Sequence, residues 1–123
     1  MTTEKLKFLI IGMGRMGFEY ARILARDPRV QLLALCAHSR KRERELKEEF
    51  PQQKIYFGDD WKKVFAENPE ANAAVIATSE WAHLEPVLLA LEHVKTIILE
   101  KPLADTLDAS ERIFQAAKKA EAT

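Results

Sequence analysis

Cysteine occurs once, at position 36, so no disulfide can form within the chain. Cys36 sits inside an apolar run, which predicts a buried thiol and is consistent with a reducing cytoplasm. Net charge is absent as well, since 19 Lys and Arg balance 19 Asp and Glu. Nucleic acid or an anionic membrane would call for a clustered basic excess, so neither is an expected partner. No long hydrophobic run is present. The first apolar stretch stops at Gly12, too soon for a signal-peptide core or a membrane-spanning helix. His38, His83 and His93 lie on separate segments without ligand-like spacing, so no metal site is predicted. Glycine is scarce, four in 123 residues, yet three of the four fall in Gly12-Met13-Gly14-Arg15-Met16-Gly17.

That stretch fits G-x-G-x-x-G and follows Phe8, Leu9, Ile10 and Ile11, an apolar run of strand length. In a dinucleotide-binding turn, the first glycine permits the sharp bend and the second lets the backbone approach a pyrophosphate. The third lets helix and strand pack closely. Gly12, Gly14 and Gly17 occupy those places, with Met13, Arg15 and Met16 between them. A helix from Gly17 to about Arg26 would then aim its unpaired N–H groups and positive dipole end at phosphate.

A chain of this length makes one domain. Onward from the first helix, Val30 to Ala37 reads as a strand covered on both faces, and a charge-dense helix opens at His38 to Arg42 and runs to Phe50. Its apolar pair is Leu46 and Phe50, and its charges read as a solvated face. Lys54 to Phe57 is a short third strand, followed by a helix capped by Asp59 or Asp60 and carrying Trp61, Val64 and Phe65. Ala73 to Ala77 is the fourth strand, with a helix from His83 to Glu92 behind it. Thr96 to Leu99 is the fifth. A last helix from Thr106 presents Leu107, Ile113, Phe114, Ala117 and Ala120 along one face. Apolar strands alternating with helices predict a doubly wound parallel α/β sheet, in which ligands bind outside the strand C-termini. Four segments converge there: Gly12 to Gly17, His38 to Arg40, Thr78 to His83, and Glu100 to Pro102.

In the NAD-binding version of this fold an Asp or Glu roughly 20 residues on from the glycines holds the ribose 2′-hydroxyl. Here the place reads Ala37-His38-Ser39-Arg40, without a carboxylate. Ser39 can donate a hydrogen bond to a 2′-phosphate and Arg40 can add a charge-assisted contact, so NADP is favoured, with NAD the alternative. Glu100-Lys101-Pro102 emerges from four apolar residues at the same edge, where a lysine can hold a substrate hydroxyl or carbonyl.

With these segments in view, the chain resembles the N-terminal domain of the glucose-fructose oxidoreductase / inositol dehydrogenase / rhizopine-catabolism (Gfo/Idh/MocA) family. The carriers are GMGRMG, VIATSEWAHLEPVLLALEH and IILEKPLADTLDASERI, in that order. The resemblance implies a Rossmann-type, three-layer α/β/α domain spanning 1–123, and NAD(P)-dependent oxidation or reduction at a hydroxyl or carbonyl of a sugar, cyclitol or similar small molecule. It implies that Lys101 is catalytic, that Glu100 and Pro102 shape its loop, and that Thr78, Ser79 and His83 line the nicotinamide ribose side. Where many members carry proline and asparagine, this chain has Ser79, Glu80 and Trp81. Members also continue into a second α/β domain that supplies much of the substrate pocket. The expectation is therefore a cofactor-binding domain, monomeric or weakly associated by itself, that binds dinucleotide but turns over little alone. The competing readings are a regulatory dinucleotide-binding module without catalysis and, more remotely, a scaffold that docks through the charged helix.

Overall fold

The structure is a computed structural model that describes residues 5–78, 83–100 and 106–123. The apolar runs form five parallel strands: β1 (Leu6–Ile11), β2 (Val30–Ala37), β3 (Lys54–Phe57), β4 (Ala73–Ile76) and β5 (Thr96–Leu99). The helices are α1 (Arg15–Arg26), α2 (Glu43–Glu49), α3 (Trp61–Glu67), α4 (Leu84–Leu91) and α5 (Leu107–Lys119). Short 3-10 turns, Arg40–Arg42 and Gly58–Asp60, lead into α2 and α3. Strand order is β3-β2-β1-β4-β5, so the winding direction reverses between β1 and β4.

Side chains of a strand alternate between faces, and that period divides the core in two. Leu9, Ile11, Cys36, Ala74 and Ile76 meet Val64 and Phe65 of α3, Val87 and Ala90 of α4 and Ile113 of α5. Phe8, Ile10, Leu35, Ala73 and Val75 meet Phe18 and Ala21 of α1, Leu46 of α2 and the adjoining Phe50. Covered on both faces, β1 and β4 need apolar residues at every central position, which is why Leu9, Ile10, Ile11 and all of Ala73–Ile76 are buried. A register shift opposite Phe8 and Leu9 interrupts the β1–β2 ladder.

Three expectations shift. Helix α1 begins at Arg15 rather than Gly17, because Gly14 takes the N-cap and Gly17 fits within the first turn. Asp60 occupies the N-cap position of α3, but no side-chain hydrogen bond caps that helix. The apolar face expected of α5 is only partly used: Ala109 and Ile113 are buried, whereas Leu107 is 86% and Phe114 58% exposed. Thr106 caps α5, its hydroxyl accepting from the Ala109 N–H at 3.0 Å. The outer edge of β5 carries Thr123, which donates to Lys95 O at 2.7 Å and accepts from Ile97 N at 2.8 Å. Among the described residues, no helix is long and apolar enough to cross a membrane.

Candidate functional site

All five strands point the same way, so the segments that follow them meet at one edge of the sheet. The centre of that edge is the β1–β4 junction, where the topology reverses and a crevice is expected. Gly12 builds it. Its φ is +101°, in the range that favours glycine, and its N–H donates to Cys36 O at 2.8 Å, tying the end of β1 to β2. A Cβ at this position would lie 2.6 Å from the backbone of Ala77 and Thr78, so the turn also presses against the end of β4. Gly17 plays the third glycine's part, since a side chain there would strike the Gly12 carbonyl and the helix can approach the turn only without one.

Gly14 differs from both. Among the described residues a Cβ there would meet nothing within 4 Å, so neither their packing nor its φ of −78° requires glycine. The open space in front of it belongs to a cavity of about 840 Å³ along the strand ends. One wall holds Gly12, Met13 and Gly14; a second holds His38, Ser39, Lys41 and Arg42 after β2. The third side is formed by Gly58, Asp59 and Trp61 after β3 and by Thr78, Leu84, Glu85 and Pro86 around the start of α4. Such a size suits an extended organic ligand. Helix α1 begins beside Gly14, has no acidic residue in its first turn and opens with Arg15. Its first N–H groups have no acceptor within the helix, which makes this end suited to an anion.

The predicted site residues divide. Gly12, Met13, Gly14, Ser39 and Thr78 come together on the cavity wall. Arg15, Met16 and Gly17 form the opening of α1 behind the turn. Ser39 Oγ accepts from the Lys41 N–H at 3.4 Å, and so caps the 3-10 turn. Arg40 is not among the wall residues: its guanidinium lies 4.5 Å over the Phe57 ring, and Nη1 is 2.9 Å from Glu43 Oε1. His83 is 1% exposed, and its Nε2 sits 2.9 Å from Thr78 O, a contact between the start of α4 and the residue two beyond β4. Glu100 continues the β4–β5 ladder, its N–H donating to Ile76 O at 3.1 Å. Ser79, Trp81, Lys101 and Pro102 lie outside the described residues.

Other residues were not singled out by their sequence. Tyr20 of α1 reaches Glu100; burial first, then the Glu100 carboxylate as neighbouring charge and hydrogen-bond acceptor, raise the phenol above its ordinary 10.0. Asp59, Trp61, Glu85, Lys41 and Arg42 were also missed as wall residues. The signal for Gly58 and Asp59 was present, since β3 ends at the same edge as the other strands. Cys36 also lines the cavity, but burial and then the Asp60 charge push its thiol up to about 12, so it is a poor nucleophile.

Comparison with known proteins agrees with this geometry. A family model described as "Oxidoreductase family, NAD-binding Rossmann fold" (GFO_IDH_MocA) matches residues 6–123. The chain is 30% identical over 112 residues to a myo-inositol 2-dehydrogenase of Thermotoga maritima, covering 91% of this chain and 33% of that protein. It is also 30% identical over 112 residues to a glycosyl hydrolase family 109 protein of Porphyromonas gingivalis, covering 85% of this chain and 24% of the relative. The crystal structure of a probable dehydrogenase from Thermotoga maritima superposes with a TM-score of 0.84 at 30% identity, over 95% of this chain and 34% of that one. The chain thus spans a third or less of the length of these curated relatives. It belongs to the Gfo/Idh/MocA oxidoreductase family, as an NAD(P)-binding Rossmann domain.

Proposed function

We propose that this chain is the nucleotide-binding part of an NADP-preferring oxidoreductase acting on a hydroxyl or carbonyl carbon of a sugar, cyclitol or similar small molecule. The observation that carries the reading is the space in front of Gly14. It opens onto a cavity whose β2-end wall has His38, Ser39, Lys41 and Arg42 and no carboxylate. A pyrophosphate would approach Gly14 closely and face the N–H groups at the start of α1, with Arg15 adding charge. At the far end of the β2 wall, Ser39 and the basic turn from Arg40 onward suit a 2′-phosphate, where an acid would repel it.

When bound, the dinucleotide supplies the hydride acceptor or donor. The protein holds and orients it. In this reading Thr78 and His83 serve the nicotinamide ribose side, and Lys101 follows directly on Glu100 beyond the end of β5. We assign Lys101 to the substrate hydroxyl or carbonyl, as the group that stabilises charge on that oxygen. Hydride transfer needs substrate positioned as well as cofactor, so the chain alone binds dinucleotide with little or no turnover. Calorimetric titration with NADP and NAD tests the reading. Saturable binding, tighter for NADP, supports it; equal affinities refute the NADP preference, and no binding of either refutes the whole.

A further inference from the structure

Tyr20 stands in the second turn of α1, about 200° around the helix from both Phe18 and Arg22. Those two face α2, where they meet Phe50 and Glu49. Tyr20 therefore turns the other way, toward β4 and β5, and joins the same apolar cluster as Ala77 and Ile98. Helical side chains lean toward the helix N-terminus, and the N-terminus of α1 lies at the strand C-termini, so the phenol hydroxyl is carried to that edge.

Glu100 reaches the same place from β5. Its N–H donates to Ile76 O at 3.1 Å, so strand geometry continues one residue past Leu99. Side chains alternate along a strand, and Glu100 thus shares the α1 face with Ile98 rather than the opposite face with Leu99. Its Oε2 is sealed from solvent. A buried carboxylate is costly unless it is hydrogen-bonded, and the Tyr20 hydroxyl is a donor to it. Glu100 is therefore held through its N–H by β4 and through its side chain by α1. We propose that Tyr20 is a positioning residue for the reaction: by donating to the Glu100 carboxylate it fixes, from α1, the point at which the chain departs for Lys101. The assignment rests on the Lys101 reading above. It makes one helix serve both reactants, its first turn the pyrophosphate and its second turn the lysine assigned to substrate.

The test is NMR of the whole chain, wild type against Tyr20→Phe, which keeps the ring and removes the donor; thermal unfolding checks the fold. Without ligand, exchange of the Glu100 amide should quicken by about tenfold in Tyr20→Phe, the scale of one lost charge-assisted hydrogen bond. The Gly12 and Ala77 amides, bonded to Cys36 O and Ile11 O, should stay within about twofold. Glu100→Gln is an independent check. Tyr20 and Tyr56 are the two tyrosines, so in a Tyr56→Phe background the remaining phenol is Tyr20, and Glu100→Gln should lower the pH at which it ionises. With saturating NADP, the isotope-labelled, methylated amine of Lys101 should shift in the wild type and largely lose that shift in Tyr20→Phe, with NADP affinity within about twofold. A hydroxyl that served only the fold would leave the Lys101 shift intact. The proposal is overturned if Tyr20→Phe leaves Glu100 exchange unchanged, if Glu100→Gln leaves the Tyr20 ionisation unchanged, or if the Lys101 response persists in full. A wild-type Lys101 that ignores bound NADP would instead locate the failure in the Lys101 reading, with the ligand-free measurements still deciding the contact.

Discussion

Replacing Gly14 with alanine separates folding from binding. At φ −78° and ψ −158° the backbone is extended, a region open to alanine, and among the described residues the new methyl group has no neighbour within 4 Å. Glycine is the better N-cap, but alanine restricts the unfolded chain more, so the two effects offset and the net change is below about 1 kcal/mol. Gly12→Ala is the contrast. Positive φ costs a side-chain-bearing residue about 1–2 kcal/mol, and a contact at 2.6 Å with the Ala77 and Thr78 backbone adds about 1–3 kcal/mol of overpacking. At about 3–6 °C per kcal/mol for a domain of this size, Gly12→Ala should lower Tm by roughly 6 °C or more, and Gly14→Ala by far less. Titration with NADP should nonetheless show at least about a tenfold loss for Gly14→Ala, because its methyl group occupies the space where the pyrophosphate meets the turn. A Gly14→Ala protein that binds NADP like the wild type would refute this account of the cavity. A protein destabilised as much as Gly12→Ala would refute the claim that packing leaves Gly14 free.

Other tests address the scaffold. Cys36, with its thiol raised to about 12, should resist iodoacetamide at pH 8 in the folded chain and react on denaturation; rapid native labelling would contradict its burial. Asp27, held by the Arg29 side chain and backbone, has its carboxyl lowered from 3.8 to about 2. Its stabilising contribution is therefore complete above about pH 3.8 and is lost as pH falls towards 2. Asp27→Asn should flatten the acid limb of stability over that window, and NMR titration of the Asp27 carboxyl gives the pKa directly. Asn68 is 2% exposed and donates to Val64 O at 2.7 Å and to Tyr56 Oη at 3.2 Å. Asn68→Ala should cost about 1–3 kcal/mol by chemical denaturation, since the buried Val64 carbonyl loses a partner.

The strands were the legible part of this chain, because each is an apolar run of strand length ended by a turn signal. The same holds for the glycine turn: Gly12 and Gly17 are required by contacts that the spacing implies, and Gly14 by none. Packing that depends on distant segments was less legible. Leu107 and Phe114 share helical periodicity with Ile113, yet only Ile113 faces the sheet, and periodicity alone does not say how wide a stripe the core will take. Helix α1 starts before Gly17 because close approach to Gly12 outweighs the poor helix propensity of glycine. Within the basic turn, neighbours in sequence diverge in space: Arg40 reads as the first cation after Ser39, while the helical turn sends Lys41 and Arg42 to the cavity. Trp61 and Glu85 became wall residues only once β3 and α4 were set against β1, a relation no local pattern contains.

The central claim is that the strand-end cavity in front of Gly14 is a dinucleotide site with a preference for a 2′-phosphate. Calorimetric titration of the chain with NADP and NAD in the same buffer measures it most directly. The account predicts one saturable site, with NADP bound about tenfold or more tighter than NAD. Failure of both nucleotides to bind at millimolar concentration would contradict it.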